Sequence, residues 1–396
     1  MRGADTLRVT NLVPVGPDSK DVILSEDQRM VRDMARDFAA RRLAPYAAQW
    51  DRDAHVPLEV IAEMGSLGLL GMTVPEQWGG AGADFVSLVL AVEEIAAGDG
   101  GVSCIMNVNN TPVCAAIQSF GSETQKERFL KPLARGKMLG AFCLTEPQAG
   151  SDASNLLTRA ERRGNKFVLN GTKQFVTSGS IADVAIVFAV TDAEAGKHPI
   201  SAFLVPTKSD GYRVANIEKK LGQHSSDTCQ IVLEELELTP DLMLGDEGQG
   251  YKIALANLES GRIGIASQAI GMARAAYEFA LAYARERQAF DAPIMDHQAV
   301  AFRLADMATS IEAARGLVHG AAALKDAGQS CIKEASMAKL FASEMAEKVC
   351  SDAIQIHGGY GYLADFPVER IYRDVRVCQI YEGTSDIQRL VISRSL

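Results

Sequence analysis

The chain has 396 residues and a formal charge of −10, with 47% hydrophobic and 23% charged residues. A single hydrophobic core does not extend over such a length, so we expect two or three domains. The acidic charge disfavours a sequence-independent grip on phosphate backbones, so we expect no nucleic-acid partner.

The first segment of the chain, residues 1–23, lacks the apolar core of a signal peptide, and we interpret it as a flexible N-terminal arm. No apolar run in the chain is long enough to span a bilayer, so we expect no membrane partner. The seven cysteines are odd in number and none has C-x-x-C spacing. This pattern is typical of a reduced intracellular chain, for which we expect neither disulfides nor a metal site.

Residues 24–138 are predicted to form an N-terminal α domain. Ser25 resembles a helix cap, with Gln28 three residues later. The apolar residues that follow, from Met30 to Phe38, have the spacing of one helix face. Further helical patterns lie near 84–97 and 123–134.

Residues 139–247 have the short apolar runs of a β domain, of which 185–190 and 200–205 read as buried strands. Asn170-Gly171 separates two runs rich in β-branched and aromatic residues. Since both residues tolerate positive φ, this dipeptide predicts a hairpin turn.

Residues 248–396 are Ala-rich and predict three long helices, near 250–288, 294–327 and 330–356. Long helices with apolar stripes favour a helical bundle. The order helical, β, helical differs from the alternating pattern of a Rossmann domain, and no G-x-G-x-x-G follows a strand. We therefore expect no nicotinamide cofactor.

Three short segments carry candidate chemistry: 143–152 (CLTEPQAGSD), 355–362 (QIHGGYGY) and 380–389 (IYEGTSDIQR). Small and hydroxyl residues let a backbone approach a flat or phosphorylated ligand. Taken singly, each segment also fits an ordinary turn or helix cap. In the third segment, Glu382 is either a solvated loop residue or a general base in a desolvated pocket.

Together, the three segments resemble the acyl-CoA dehydrogenase family, through its T-E-P-x-A-G-S-D, Q-x-x-G-G-x-G and Y-E-G-T motifs. The resemblance extends from about Leu24 to Leu396. It implies an α+β multidomain fold with an N-terminal α domain, a middle β-barrel or sandwich domain and a C-terminal four-helix bundle. It also implies FAD as the cofactor.

The reaction implied by this resemblance is the α,β-dehydrogenation of an acyl-CoA to the 2-enoyl-CoA. Glu382 matches the base that takes the α proton, while the β hydride passes to flavin N5. Some relatives place this base on a helix, just before the arginine that Arg262 matches; here that position is Gly261.

The resemblance also implies residues that hold the cofactor and the substrate. The expected cofactor-binding residues are Phe142, Leu144, Thr145, Ser151, Phe175, Thr177, Arg287, Phe290, Gln298, Gln355, Gly358, Gly359, Thr384, Ser385 and Asp386. Among them, Arg287, Gln298, Gln355 and Gly359 are expected to reach the FAD of a neighbouring subunit. The expected substrate-binding residues are Ser151, Glu259, Arg262, Tyr381 and Gly383, with Ser103, Cys104 and Asn107 at the far end of the acyl pocket.

Within the family, the chain resembles short-chain and short branched-chain members, which leaves butyryl-, isobutyryl- and 2-methylbutyryl-CoA open as substrates. The resemblance further implies a homotetramer built as a dimer of dimers, and an electron-transfer flavoprotein as acceptor. It places the protein in the cytoplasm of a bacterium, or in the mitochondrial matrix of a eukaryote.

Three other functions stay open at this point. A flavin-dependent acyl-CoA oxidase would use O2 instead of an electron-transfer flavoprotein. Nitroalkane-oxidising relatives have Asp at the position of Glu382. A non-catalytic or DNA-associated member of the same fold would carry a basic extension, which this acidic chain lacks.

Overall fold

The computed structural model describes residues 24–191 and 199–396. In this part of the chain, helices are followed by a β-sheet and then by helices again, which confirms the predicted order helical, β, helical. The predicted N-terminal arm lies outside the described residues.

The N-terminal region is helical from the first described turn. Its α-helices are α1 (Glu26–Phe38), α2 (Ala47–Asp53), α3 (Leu58–Ser66), α4 (Phe85–Gly98), α5 (Gly100–Val108), α6 (Ala115–Phe120), α7 (Glu123–Gln125) and α8 (Lys131–Ala134). The predicted cap of α1 is confirmed, because the Ser25 hydroxyl accepts from the Gln28 N–H and the Gln28 side chain accepts from the Ser25 N–H. The prediction for Met30 was wrong, since its side chain is 59% exposed. The buried face is centred on Ala35 and Phe38, and Met30 lies too far around the helix to join it.

The middle region forms an eight-stranded sheet. Its strands are β1 (Gly140–Cys143), β2 (Arg159–Arg163), β3 (Lys166–Thr177), β4 (Val184–Val190), β5 (Ile200–Pro206), β6 (Tyr212–Ile217), β7 (Thr228–Leu238) and β8 (Met243–Leu244). The strands lie in the order β6-β7-β3-β2-β4-β5-β8, and β1 pairs in parallel with β4. The fully buried faces of β4 and β5 confirm the two strands predicted as buried.

The predicted hairpin at Asn170-Gly171 was wrong, because β3 runs through both residues as one strand. The pairing of β3 with β7 shifts register there, which marks a bulge. Gly171 is needed for close approach, since a Cβ on it would lie 2.4 Å from the Thr158 hydroxyl oxygen. The tight turn comes earlier, between β2 and β3, where Gly164 has a φ of +64°.

A buried ion pair fixes the loop that follows β1. The Lys173 ammonium lies 2.7 Å from a Glu146 carboxylate oxygen, and the two side chains are 0% and 2% exposed. Glu146 also accepts from the N–H groups of Leu157 and Thr158. Burial raises the pKa of Glu146, but attraction and hydrogen bonding from Lys173 and these donors outweigh it and lower the pKa to about 2. The stabilisation from ionised Glu146 is therefore present above its ordinary pKa and is lost as the pH falls towards 2.

The C-terminal region is a helical bundle that begins with one very long helix. Its helices are α9 (Gly250–Glu286), α10 (Gln298–Asp326), α11 (Ile332–His357), α12 (Pro367–Val375) and α13 (Ser385–Ser393). The short strands β9 (Gln288–Ala289) and β10 (Ala292–Pro293) connect α9 to α10. The helix α9 has 37 residues and is roughly 56 Å long at 1.5 Å per residue. It packs against α4 and α5 of the N-terminal region and against α10, α11 and α12 of its own region.

Among residues 24–191 and 199–396, none of the helices combines the length and apolar character needed to cross a bilayer.

Replacement of Glu146 by Gln should destabilise the protein by about 3–5 kcal/mol, because the change leaves the Lys173 charge buried and without its carboxylate. The measurement is the free energy of unfolding in urea at pH 7, followed by circular dichroism. Glu237→Gln is the matched control. It breaks an ion pair with Lys166 in which the side chains are 46% (Lys166) and 57% (Glu237) exposed. This control should cost less than about 1 kcal/mol. Equal losses in the two variants would contradict the interpretation.

Candidate active site

Glu382 lies in the loop before α13, in a turn with unusual backbone geometry. Its φ is +54°, and the φ of Gly383 is +90°. Positive φ is uncommon for a residue with a side chain, and such strain persists only where the surroundings hold it. Thr384 caps the following helix, since its hydroxyl accepts from the Ile387 N–H at 3.3 Å.

The Glu382 carboxylate faces α9 at Gly261. A Cβ on Gly261 would lie 2.6 Å from a Glu382 carboxylate oxygen, so any side chain there would displace the carboxylate. The position at which some relatives carry the base therefore provides the room for Glu382. The two candidate positions for a base meet in space, and only one of them carries a carboxylate.

Glu382 is poised to exchange a proton near neutral pH. Burial raises the pKa of its carboxyl to about 7, although the positive charges of Arg262 and Lys339 oppose this shift. These two groups act through space, and no hydrogen bond from a described residue contributes to the shift. A base with a pKa near the working pH is suited to general acid–base chemistry.

Arg262 lies beside Glu382 and is 7% exposed. One terminal nitrogen donates to the Ser336 hydroxyl at 3.2 Å, whereas Nε is buried and has no hydrogen-bond partner within residues 24–191 and 199–396. Burial lowers the pKa of Arg262, and the nearby carboxylates of Glu382 and Glu259 oppose that shift.

Tyr381 is tied to two other parts of the chain. Its hydroxyl donates to the Gln268 carbonyl oxygen of α9 at 2.7 Å and accepts from the Gln223 amide at 3.3 Å. Gln223 follows β6, and its backbone N–H donates to the buried Asp374 carboxylate of α12. The turn with Glu382 is thus anchored to the sheet region and to the C-terminal helices.

Two residues that the sequence analysis did not single out hydrogen bond to the backbone carbonyls of this turn. Lys339 and Gln388 both donate to the Gly383 carbonyl, at 2.8 and 2.9 Å. Gln388 also donates to the Glu382 carbonyl at 3.1 Å. A signal was present for Lys339, because it lies among the apolar positions of the α11 pattern.

The three residues expected at the end of the acyl pocket are buried and lie on α5. The Cys104 thiol lies within hydrogen-bonding reach of Thr177 and close to Glu382, and burial raises its pKa to about 11. Asn107 packs against α9, where a Cβ on Gly264 would lie 2.0 Å from its side-chain oxygen. The Ser103 hydroxyl donates to the Gly100 carbonyl, and its expected place in the acyl pocket stays a prediction.

The cofactor residues expected near the flavin ring lie on β1, β3 and the loop between β1 and β2. Phe142 is on β1, the backbone carbonyls of Leu144 and Thr145 accept from Lys173 and Gln174, and Ser151 is exposed. Phe175 lies in a second bulge near the end of β3, so the hairpin predicted at Asn170-Gly171 does not position it. Its φ is +57°, and its ring is 64% exposed beside Thr177.

A second set of expected cofactor residues lies elsewhere. Arg287, Gly358 and Gly359 line a cleft of about 400 Å³ together with Tyr283 and Tyr360. The cleft is roughly 39 Å from Gly261, counted along α9 at 1.5 Å per residue. Close to it are the exposed residues Phe290, Gln298 and Gln355. The structure therefore separates this set from the Glu382 pocket within one chain.

Glu259 is engaged by groups of the protein itself. Its carboxylate accepts from the Cys331 N–H at 3.2 Å and lies 3.4 Å from the Lys325 ammonium. Its expected contact with CoA stays a prediction.

The residues present fit FAD. The exposed Phe175 ring offers an apolar surface to a flat ring system. The Ser385 hydroxyl, at the start of α13, is buried and has no hydrogen-bond partner in the described part of the chain. Helix N-termini bind phosphate groups, so Ser385 with Thr384 and Asp386 would hold part of the nucleotide. A Cβ on Gly358 or Gly359 would meet no atom of the described residues within 4 Å, which leaves open space for a ligand there.

In the described part of the chain, no group of three or more His, Cys, Asp or Glu side chains is placed to hold a metal ion.

Replacing Glu382 by Gln should change how stability depends on pH. The pKa of Glu382 rises from its ordinary value to about 7 on folding, so the stabilisation is full below about 4.5 and is lost as the pH rises through 7. Gln imitates the protonated carboxyl. The variant should match wild type at pH 4.5 and be more stable at pH 8 by up to about 3 kcal/mol. Thermal unfolding of both apoproteins at each pH measures this, and the same difference at both pH values would contradict it.

Comparison with known proteins identifies the family over almost the whole chain. The chain matches the N-terminal domain of acyl-CoA dehydrogenases at residues 25–137, the middle domain at 141–236 and the C-terminal domain at 248–396.

Individual relatives agree with this assignment. The human mitochondrial short-chain specific acyl-CoA dehydrogenase is 46% identical over 377 residues, which cover 95% of this chain and 92% of the human protein. Butyryl-CoA dehydrogenase from Megasphaera elsdenii superposes with a TM-score of 0.92 at 42% identity, covering 94% of this chain and 98% of that chain. A chain from a structure described as an electron transferring flavoprotein of Acidaminococcus fermentans superposes with a TM-score of 0.93 at 45% identity, with the same two coverages.

These matches confirm the three-domain fold, the enzyme class and FAD as the cofactor that the sequence motifs predicted. The chain belongs to the acyl-CoA dehydrogenase family of flavoprotein oxidoreductases, which act on CH–CH bonds.

Proposed function

We propose that this protein converts a short-chain or short branched-chain acyl-CoA into its 2-enoyl-CoA, with Glu382 as the base. The observation that carries this proposal is the Glu382 carboxylate, which is held over Gly261 with a pKa raised to about 7. Glu382 takes the α proton, and the C–H bond at the β carbon breaks with loss of a hydride. FAD, when bound, supplies the acceptor for that hydride.

The raised pKa of Glu382 reduces the difference between its own pKa and that of the substrate α proton. The α proton of a thioester is much less acidic than an ordinary Glu carboxyl, whose reference pKa is about 4.3. A bound acyl chain would exclude water from the carboxylate and increase its basicity further. Because Arg262 and Lys339 attract the ionised form, Glu382 stays available as a carboxylate at neutral pH.

Stabilisation of the thioester carbonyl is the second requirement. As the α proton leaves, negative charge develops on this oxygen, and preorganised donors lower the barrier. The Glu382 N–H has no acceptor among the described residues, so it is available to donate to the substrate. Gln388 and Lys339 fix the neighbouring carbonyls and so restrict the direction of that N–H.

A short acyl group suits the pocket around Glu382. Cys104 and Asn107 are buried on α5, and Asn107 fills the gap left by Gly264. With Asn107 at the far end of the acyl pocket, these contacts would limit the length of the acyl chain that fits between α5 and α9. The similarity to a short-chain specific human enzyme and to a bacterial butyryl-CoA dehydrogenase supports the same substrate class.

The exposed cleft around Arg287 supports a cross-subunit cofactor site within a homotetramer. Arg287 presents a guanidinium group that can pair with two phosphate oxygens. Phe290, 92% exposed, lies in the connection after Arg287, where a second chain would cover it. An electron-transfer flavoprotein as acceptor is supported by the family resemblance and by the similarity to the Acidaminococcus fermentans chain.

Replacement of Glu382 by Gln tests the proposed base. The FAD-loaded variant should retain its yellow colour, while the rate of anaerobic flavin bleaching by butyryl-CoA should fall by about 100-fold or more. In wild type, kcat/KM for bleaching should increase with pH through about 7, as Glu382 of the free enzyme loses its proton. Bleaching at the wild-type rate in the variant would overturn the proposed role.

Substrate length and branching can be resolved by bleaching with a panel of acyl-CoAs. Butyryl-, isobutyryl- and 2-methylbutyryl-CoA should give larger kcat/KM values than octanoyl-CoA, because we place Asn107 at the far end of the acyl pocket. Asn107→Gly should increase the value for octanoyl-CoA, and Ser119→Gly is a control on a nearby helix.

A preference for octanoyl-CoA in wild type would contradict this assignment.

The reduced protein should be reoxidised faster by an electron-transfer flavoprotein than by air. Rapid peroxide release in air would instead favour the oxidase.

A further inference from the structure

Lys339 is a charged residue in an apolar position. Its side chain is fully buried on α11, between the buried residues Ala338 and Ala342. Burial of an ammonium group is costly unless it is hydrogen bonded or paired with charge. The Lys339 ammonium donates to the Gly383 carbonyl at 2.8 Å, directly below the turn that carries Glu382.

Lys339 acts together with a second buried donor. The Gln388 amide donates to the carbonyls of both Glu382 and Gly383. The side-chain carbonyl oxygen of Gln388 is buried and has no donor among the described residues, so the side chain is placed for donation alone. Lys339 and Gln388 therefore both hold the carbonyl groups of this turn. The left-handed backbone of Glu382 is strained, and these hydrogen bonds offset that strain.

The charge of Lys339 also reaches the carboxylate. The titratable groups that face Lys339 are Glu382, Cys378, Arg262 and Glu344. The groups that face Glu382 are Lys339, Arg262 and Cys104. Burial lowers the pKa of Lys339 to about 8, whereas the pKa of Glu382 is raised to about 7. Between these values both groups are charged and attract each other.

We propose that Lys339 is the positioning residue of the active site: its hydrogen bond to Gly383 holds the Glu382 carboxylate over Gly261, and its positive charge keeps that carboxylate ionised. This inference rests on the proposed role of Glu382 as the base. It assigns to one buried side chain both the direction and the protonation state of the reacting group.

Replacement of Lys339 by Met in the FAD-loaded protein removes both contributions. The maximal rate of anaerobic bleaching by butyryl-CoA should fall about 10-fold or more, because a misplaced reacting group loses rate steeply. The rising limb of the pH–rate profile should also move above 7, since a lost positive charge favours protonated Glu382. A change in structure alone would lower the rate without moving this limb.

Lys339→Gln separates the two contributions and provides a second variant if Lys339→Met folds poorly. It keeps an N–H donor near Gly383 but removes the charge. Its pH–rate profile should move as in Lys339→Met, with a smaller loss of maximal rate. Lys348→Met is the matched control, because Lys348 lies on the same helix and its side chain is 74% exposed. It should bleach like wild type at every pH.

An unchanged pH–rate profile in both Lys339 variants would overturn the inference, as would an equal change in Lys348→Met. The outcome is distinguishable from failure of the proposed function. If Glu382→Gln abolishes bleaching while the Lys339 variants behave as wild type, the base stands and Lys339 is excluded as its positioning residue. If Glu382→Gln bleaches normally, the base itself is wrong.

Discussion

The active site depends on one constraint: the Glu382 carboxylate has to stay ionised in a partly buried position, where little water stabilises its charge. Glu382 meets this constraint between two cations, Arg262 and Lys339, neither of which donates a hydrogen bond to it. A direct ion pair would lower the pKa of the carboxyl and weaken it as a base. The positive charges of Arg262 and Lys339 lie nearby and favour the ionised form without a hydrogen bond to the carboxylate. Burial keeps the pKa of Glu382 raised, so the carboxylate remains a good base.

This arrangement requires backbone geometry that the chain does not adopt easily. The positive φ of Glu382 brings its side chain towards α9 and leaves its N–H without an acceptor among the residues that the structure describes. Gly261 supplies the space on the helix side, and Lys339 with Gln388 holds the carbonyls on the other side. The strain at the turn is therefore matched by contacts from α9, α11 and α13.

Much of the fold and the reactive centre could be predicted from the sequence because their signals are local. The Ser25 cap, the long Ala-rich helices and the apolar strands follow from spacing and propensity. Glu382 was found because three motifs occur in order along the chain. The Asn170-Gly171 prediction failed because turn propensity says nothing about a strand that passes alongside. Thr158, which directly precedes β2, lies against Gly171, and this tertiary contact decides the conformation.

The supporting residues of the site were harder to predict for a similar reason. Lys339 is 43 residues from Glu382 in the chain, and Gln223 is still farther from Tyr381. No local sequence pattern connects them, because each of them hydrogen bonds to a carbonyl or hydroxyl group of a segment that is distant in the chain. Met30 shows the converse error, where spacing alone placed an apolar residue on a face that the packed helix turns outward.

The hydroxyl of Tyr381 has a consequence for how such proteins can diverge. It joins a glutamine that follows β6 to a glutamine of α9, next to the base. A chimaera that took its sheet from one homologue and its bundle from another would inherit the two ends of this bridge from different ancestors. Recombination within the family should therefore preserve the glutamine–tyrosine–glutamine triplet as a unit, even where the surrounding surfaces have drifted apart.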